Sequence, residues 1–153
     1  MDKEHVYSGS FNIEAFRISD GGRVWWYGDG TDPVTIRASA RPFSRPTVSN
    51  GVVYAFESLG ALVALRADNG DLLWEADLRG ESLSLANPPV IGEKYIYVAV
   101  DGHSKIKAVD PRTRKFVRTF TMSGEFDRAF VAHHRAGKLI WTSGGFVCAV
   151  PLE

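Results

Sequence analysis

Three arginines, Arg37, Arg41 and Arg45, recur at four-residue spacing in a stretch from Asp29 to Arg45 that also holds Pro33 and Pro42, with Pro46 directly after. Guanidinium groups gathered on a proline-restrained loop suit a carboxylate ligand or an acidic protein surface, because each offers a planar fork of donors. His103, within Asp101-Gly102-His103-Ser104-Lys105, adds a titratable group on a second polar connection. These four residues are the candidate binding set. Gly28-Asp29-Gly30-Thr31-Asp32 puts two carboxylates in a Gly-rich loop, yet it lacks the further acidic ligands and closing Glu of a calcium loop and reads as a solvated turn. His133 and His134 are adjacent, so on a strand they point to opposite faces and cannot chelate one ion. Cys148 is the single cysteine: it excludes an intrachain disulfide, offers no thiolate cluster for zinc or iron–sulfur, and reads as a small core residue. A Gly-x-Ser-x-Gly elbow, a phosphate-binding loop and a His-Glu-x-x-His pair are absent from the sequence. No catalytic residue, metal site or cofactor is assigned.

The elements that would carry these residues belong to a folded chain. Of its 153 residues 44% are apolar and 12% aromatic, enough for a sizeable core. Lys plus Arg equals Asp plus Glu, 18 against 18, so no global field draws the chain to nucleic acid or an anionic membrane. The N-terminus is polar, and no run approaches the roughly 18 to 20 apolar residues of a membrane helix. Direct membrane insertion is not expected.

The organising feature is a recurring stretch: Tyr7 to Trp25, Tyr54 to Trp74, Tyr97 to Arg118 and, cut short, Trp141 to Val150. Its anchor alanines, Ala15, Ala64, Ala108 and Ala149, step by 49, 44 and 41 residues, a period of blade-like or solenoid arrays. Continuous β-rich runs such as Val52 to Phe56 and Tyr95 to Val100 suit strands buried on both faces, and Ser49-Asn50-Gly51, Gly92-Glu93-Lys94 and Ala136-Gly137-Lys138 punctuate them at one place in the repeat. One full unit reads as strands at 47–49, 52–57, 62–67 and 71–75, and the next at 89–91, 95–100, 106–110 and 115–120. Four antiparallel strands joined by tight turns make a propeller blade. The expected fold is all-β: one propeller segment over 1–153, about three and a half blades, with a partial blade at 1–30, blades at 44–78 and 87–122, and a partial blade at 129–153.

Val53-Tyr54, then Ala64-Leu65-Arg66-Ala67-Asp68-Asn69-Gly70-Asp71-Leu72-Leu73-Trp74, then Asn87-Pro88-Pro89-Val90 resembles the PQQ-like (pyrroloquinoline quinone-type) β-propeller repeat. The first unit matches at Ala15-Phe16, Gly21 and Trp25; the third keeps Ala108-Val109-Asp110 but has Arg114 for the glycine and Arg118 for the tryptophan; the fourth keeps Ala149-Val150. The resemblance implies that Trp25 and Trp74 wedge neighbouring sheets while Ala15 and Ala64 leave them room. Gly21 and Gly70 are expected in turns with positive φ, and Trp26 is an extra, exposed aromatic.

The family's enzymes hold a quinone at the propeller axis with calcium, and many carry a disulfide between adjacent cysteines, which one cysteine cannot form. The reading is therefore a noncatalytic binding or scaffolding module, similar to the propellers of outer-membrane-assembly lipoproteins. A protein partner and self-association are expected, two copies completing a seven-bladed ring, because exposed blade faces and strand edges are aggregation hazards that must be covered. The alternatives are a piece of a quinone- or sugar-dependent enzyme, or of a longer propeller sensor whose flanking sequence continues the period. The resemblance leans toward a periplasmic or extracellular location.

Overall fold

The computed structural model describes residues 4–28, 42–80, 85, 87–100, 105–121, 131–135, 137–143 and 146–151. Among these, every regular element is a strand, and the strands form four antiparallel meanders in chain order. The first sheet is β1 (His5–Gly9), β2 (Ile13–Arg17) and β3 (Arg23–Tyr27). The second is β4 (Thr47–Ser49), β5 (Val52–Phe56), β6 (Ala61–Arg66) and β7 (Leu72–Asp77). The third is β8 (Val90–Ile91), β9 (Ile96–Val100), β10 (Lys105–Asp110) and β11 (Lys115–Thr121), and the fourth β12 (Val131–Arg135), β13 (Lys138–Ser143) and β14 (Phe146–Pro151). This is the expected propeller segment of four-stranded blades. Among the described residues the first and last sheets hold three strands each, β1–β3 and β12–β14.

The repeat is carried by register. Tyr7 pairs with Ala15, Tyr54 with Ala64, Tyr97 with Ala108, and Ile140 with Ala149. Each of the first three alanines then pairs outward, to Trp25, Trp74 and Arg118, and directly after it the register slips by one residue. Such a bulge adds twist to the outermost strand and leaves one residue unpaired. The extra residues are Val24, Leu73 and Val117, all exposed, so the repeat itself places these apolar side chains on the rim.

The core lies between sheets. One buried cluster joins Ile13, Ala15 and Trp25 of the first sheet to Val53, Ala55, Val63, Leu65 and Ala67 of the second unit. Another joins Phe56, Leu62, Ala76 and Leu78 to Ile96, Val98, Val100 and Val109, and a third joins Tyr97, Ile106, Ala108 and Phe120 to Leu139. Alternation along each strand sends one set of side chains to the preceding blade and the other to the following one. Every blade thus has a leading face (Val53, Ala55, Val63 and Leu65 in the second) and a trailing face (Tyr54, Phe56, Leu62, Ala64 and Trp74).

Candidate functional site

The joint between the first two blades shows why the repeat needs its residue types. The Trp25 ring is 7% exposed, lies against the Gly70 turn, and donates its indole N–H to the Ala67 carbonyl at 2.9 Å. Tyr7 packs on Trp25 with ring centroids 5.8 Å apart and donates its hydroxyl to the same carbonyl at 3.2 Å. Gly70 has φ +77°, and a Cβ there would stand 2.6 Å from Cε3 of Trp25, so the position requires glycine twice, for its backbone and for the ring. Gly21 has the same conformation, φ +71°, with nothing within 4 Å of such a Cβ.

The later joints vary this theme. The third blade carries Arg114 at the same point of the turn, also at positive φ (60°). Trp74, which packs on Tyr54 at 6.1 Å, is only half-buried. At the third joint Arg118 replaces the tryptophan, and the aromatic surface moves two residues along the same face. Phe120 stands where the second blade has Ala76, packs on Tyr97 at 6.1 Å, and lies under the Arg118 guanidinium, 4.7 Å from the ring centroid. Burial pushes the Tyr97 phenol above its ordinary range, with the Arg118 charge opposing it, and burial alone does the same to Tyr54. These contacts all lie at the joints between blades.

Of the candidate binding residues, Arg45 falls among the described residues. Arg37, Arg41 and His103 lie outside them, as does most of the 28–32 loop. Arg45 is exposed, and its carbonyl accepts the Ser44 hydroxyl at 3.1 Å. The end of the arginine connection is tied down: Phe43 N–H donates to Ser10 at 2.6 Å, Ser44 N–H to Phe56 at 2.8 Å, and the buried Ser44 hydroxyl accepts the Phe56 N–H at 3.2 Å. A Cβ on Gly9 would stand 2.0 Å from the Ser44 carbonyl oxygen. Gly9 and Ser44 thus fix where the connection crosses onto the second blade, a role the sequence reading missed; the one signal was a glycine ending a strand. His133 and His134 occupy consecutive register positions, opposite Ile140 and Leu139, and Cys148 sits on β14 opposite Trp141.

No three His, Cys, Asp or Glu side chains cluster for a metal among the described residues. On the inner strand of the second blade, Thr47 spends its hydroxyl on the Pro89 carbonyl at 2.6 Å, tying two blades together. A cavity of about 600 Å³ lies at the first joint, lined by Glu4, His5, Gly51, Arg66, Ala67, Asp68 and Leu73, and Arg66 is held there by Asp68 at 2.8 Å. No helix of the described residues is long and apolar enough to cross a membrane.

The family model described as outer membrane protein assembly factor BamB matches residues 2–143. No curated protein sequence matches the chain. Among solved structures, the computationally designed Ika4 protein superposes with a TM-score of 0.71 at 13% identity, over 100% of this chain and 88% of that one. BamB from Moraxella catarrhalis gives 0.53 at 18% identity, over 97% of this chain and 56% of that one. Quinohemoprotein alcohol dehydrogenase from Comamonas testosteroni gives 0.58 at 22% identity, over 76% of this chain and 19% of that one. At these identities the likeness concerns the fold, and the chain spans about half of the BamB structure and a fifth of the dehydrogenase.

Proposed function

We propose that this chain, which belongs to the family described as outer membrane protein assembly factor BamB, is a noncatalytic binding or scaffolding module that works through its blade faces. The observation that carries this reading is the difference between inner and end sheets at equivalent positions. Ile13, Leu62 and Ile106, each two residues before an anchor alanine, are at most 1% exposed, whereas Val147, their counterpart in the last sheet, is 72% exposed. Val6, Phe11 and Ile18 are likewise exposed apolar side chains, and clustered apolar surface of this kind suits a protein partner. The family description favours a periplasmic location beside the outer membrane.

A second reading, a piece of a larger quinone-dependent enzyme, draws on the fold likeness to the alcohol dehydrogenase. Against it stand Trp25 and Trp74, which are engaged in the joints between blades. Thermal unfolding with and without calcium and pyrroloquinoline quinone separates the two. Ligand at about 100 times its Kd adds about 2.7 kcal/mol, hence a rise of about 5–11 °C in Tm for a chain of this size. The scaffold reading expects no shift; a rise of that size, or a bound chromophore, would overturn it.

A further inference from the structure

We infer that Asn50, in the turn between β4 and β5, is a site of spontaneous deamidation, where the folded chain acquires an aspartyl or isoaspartyl residue and loosens the two joints that meet there. Of the four asparagines, Asn12, Asn50, Asn69 and Asn87, only Asn50 and Asn69 precede glycine. An asparagine before glycine is open to attack by the next peptide nitrogen, because no Cβ shields that nitrogen. Asn87 precedes Pro88, whose nitrogen has no proton to give up.

The fold treats the two asparagine–glycine pairs differently. At Asn69 the groups the reaction needs are already engaged. Its side-chain nitrogen donates to the Asp71 carboxylate at 2.7 Å, its side-chain oxygen accepts the Asp71 N–H at 3.0 Å, and the Gly70 N–H donates to the Arg66 carbonyl at 2.9 Å. Gly70 is also buried against the Trp25 ring, which leaves its peptide little room to turn. Asn50 and Gly51 instead form a two-residue hairpin turn, both exposed and both at positive φ, 50° and 74°. Among the described residues the Asn50 side chain makes no hydrogen bond and the Gly51 N–H donates to no backbone carbonyl. Nothing stands within 4 Å of a Cβ built on Gly51, so the turn has space to rearrange.

The reaction needs water and nothing else. The Gly51 nitrogen gives up its proton and bonds to Cγ of Asn50, the Cγ–Nδ2 bond breaks, and the amide nitrogen leaves with that proton as ammonia. Water then opens the cyclic imide at either carbonyl, giving an aspartyl residue or an isoaspartyl residue with an extra methylene in the main chain. Either product places a new carboxylate next to Gly51, which lines the first-joint cavity with Glu4 and Asp68. The turn also lies between two joints. Its Gly51 carbonyl accepts the Ala67 N–H at 2.9 Å, and the Ala67 carbonyl receives both Trp25 and Tyr7. On the other side β4 begins at Thr47, whose hydroxyl holds the Pro89 carbonyl of the next blade at 2.6 Å. A longer main chain at position 50 displaces β4 against β5 and pulls on both ties.

The test incubates the folded chain at mildly alkaline pH, follows each asparagine-containing peptide by mass after digestion, and repeats the course in guanidinium chloride. In the folded chain Asn50 converts at least about tenfold faster than Asn69, whose hydrogen bonds must first break; in the unfolded chain the two rates converge. D71A, which frees the Asn69 amide, narrows the gap while circular dichroism shows the chain still folded. N50G keeps a residue suited to positive φ and stops conversion at this turn. The aged wild-type chain melts about 2–8 °C lower, the loss of one or two hydrogen bonds, and aged N50G does not. Equal conversion of Asn50 and Asn69 in the folded chain, a gap that persists in denaturant, or an Asn50 that converts only when unfolded would overturn the assignment. Conversion at Asn50 with an unchanged melting temperature would overturn its link to the joints.

Discussion

Replacing Gly70 by alanine tests the joint at its tightest point, because Gly21 provides a matched control. Both glycines occupy the same turn with nearly the same φ, +77° and +71°, and differ only in what lies beyond the missing Cβ. The left-handed backbone costs alanine about 1 kcal/mol at either site. At Gly21 nothing further is met. At Gly70 the new methyl would sit 2.6 Å from Cε3 and 2.8 Å from Cδ2 of Trp25, so the ring must retreat by about 1 Å to reach ordinary carbon contact. That movement stretches the 2.9 Å bond from the indole to Ala67, worth about 1 kcal/mol, and forfeits part of the roughly 3–5 kcal/mol that a buried tryptophan contributes over alanine. G70A should therefore lose about 3–4 kcal/mol and G21A about 1 kcal/mol. In thermal melts this is a fall of roughly 6–16 °C against 2–4 °C. In a Trp25→Ala background the Gly70 penalty should shrink to that of Gly21, which a double-mutant cycle by urea unfolding would register. Equal losses at Gly21 and Gly70, or additivity with Trp25→Ala, would refute the assignment of Gly70 as the seat of Trp25.

Three further outcomes follow from the same geometry. Arg114 holds positive φ without being glycine, so R114G should raise stability by about 0.5–1 kcal/mol, read as a higher urea midpoint at unchanged slope. Phe120 supplies the aromatic surface of the third joint and Arg118 only covers it, so F120A should cost about 3 kcal/mol and R118A under about 1 kcal/mol in the same assay. The Arg79 side chain and backbone N–H hold the Asp77 carboxyl down at about 2. A depressed carboxyl contributes stability above the unfolded value of about 3.9 and loses it as pH falls toward 2; a carboxyl-carbon NMR titration should show that midpoint, rising toward the ordinary value in R79A.

Much of the architecture was legible because the repeat writes its register in residue types. The spacing Ala15 to Gly21 to Trp25, repeated at Ala64, Gly70 and Trp74, reports a paired strand, a left-handed turn and a residue that crosses to the next blade, and these positions are found in those roles. What single positions could not reveal were substitutions compensated across space. Arg118 reads as a lost tryptophan until Phe120 is seen on the same face, and Gly9 reads as a strand breaker until the Ser44 carbonyl is found where its Cβ would be. Both depend on how far one strand lies from the next, a distance set by packing. The candidate binding set drew on charge and loop length alone, and its one described member, Arg45, sits on a segment anchored by Ser44 rather than on a free loop.

The noncatalytic reading is tested most directly by thermal unfolding of the chain with and without calcium and pyrroloquinoline quinone. An unchanged Tm with no bound chromophore is the expected result. A rise of about 5–11 °C, or a chromophore that stays with the protein through gel filtration, would contradict it.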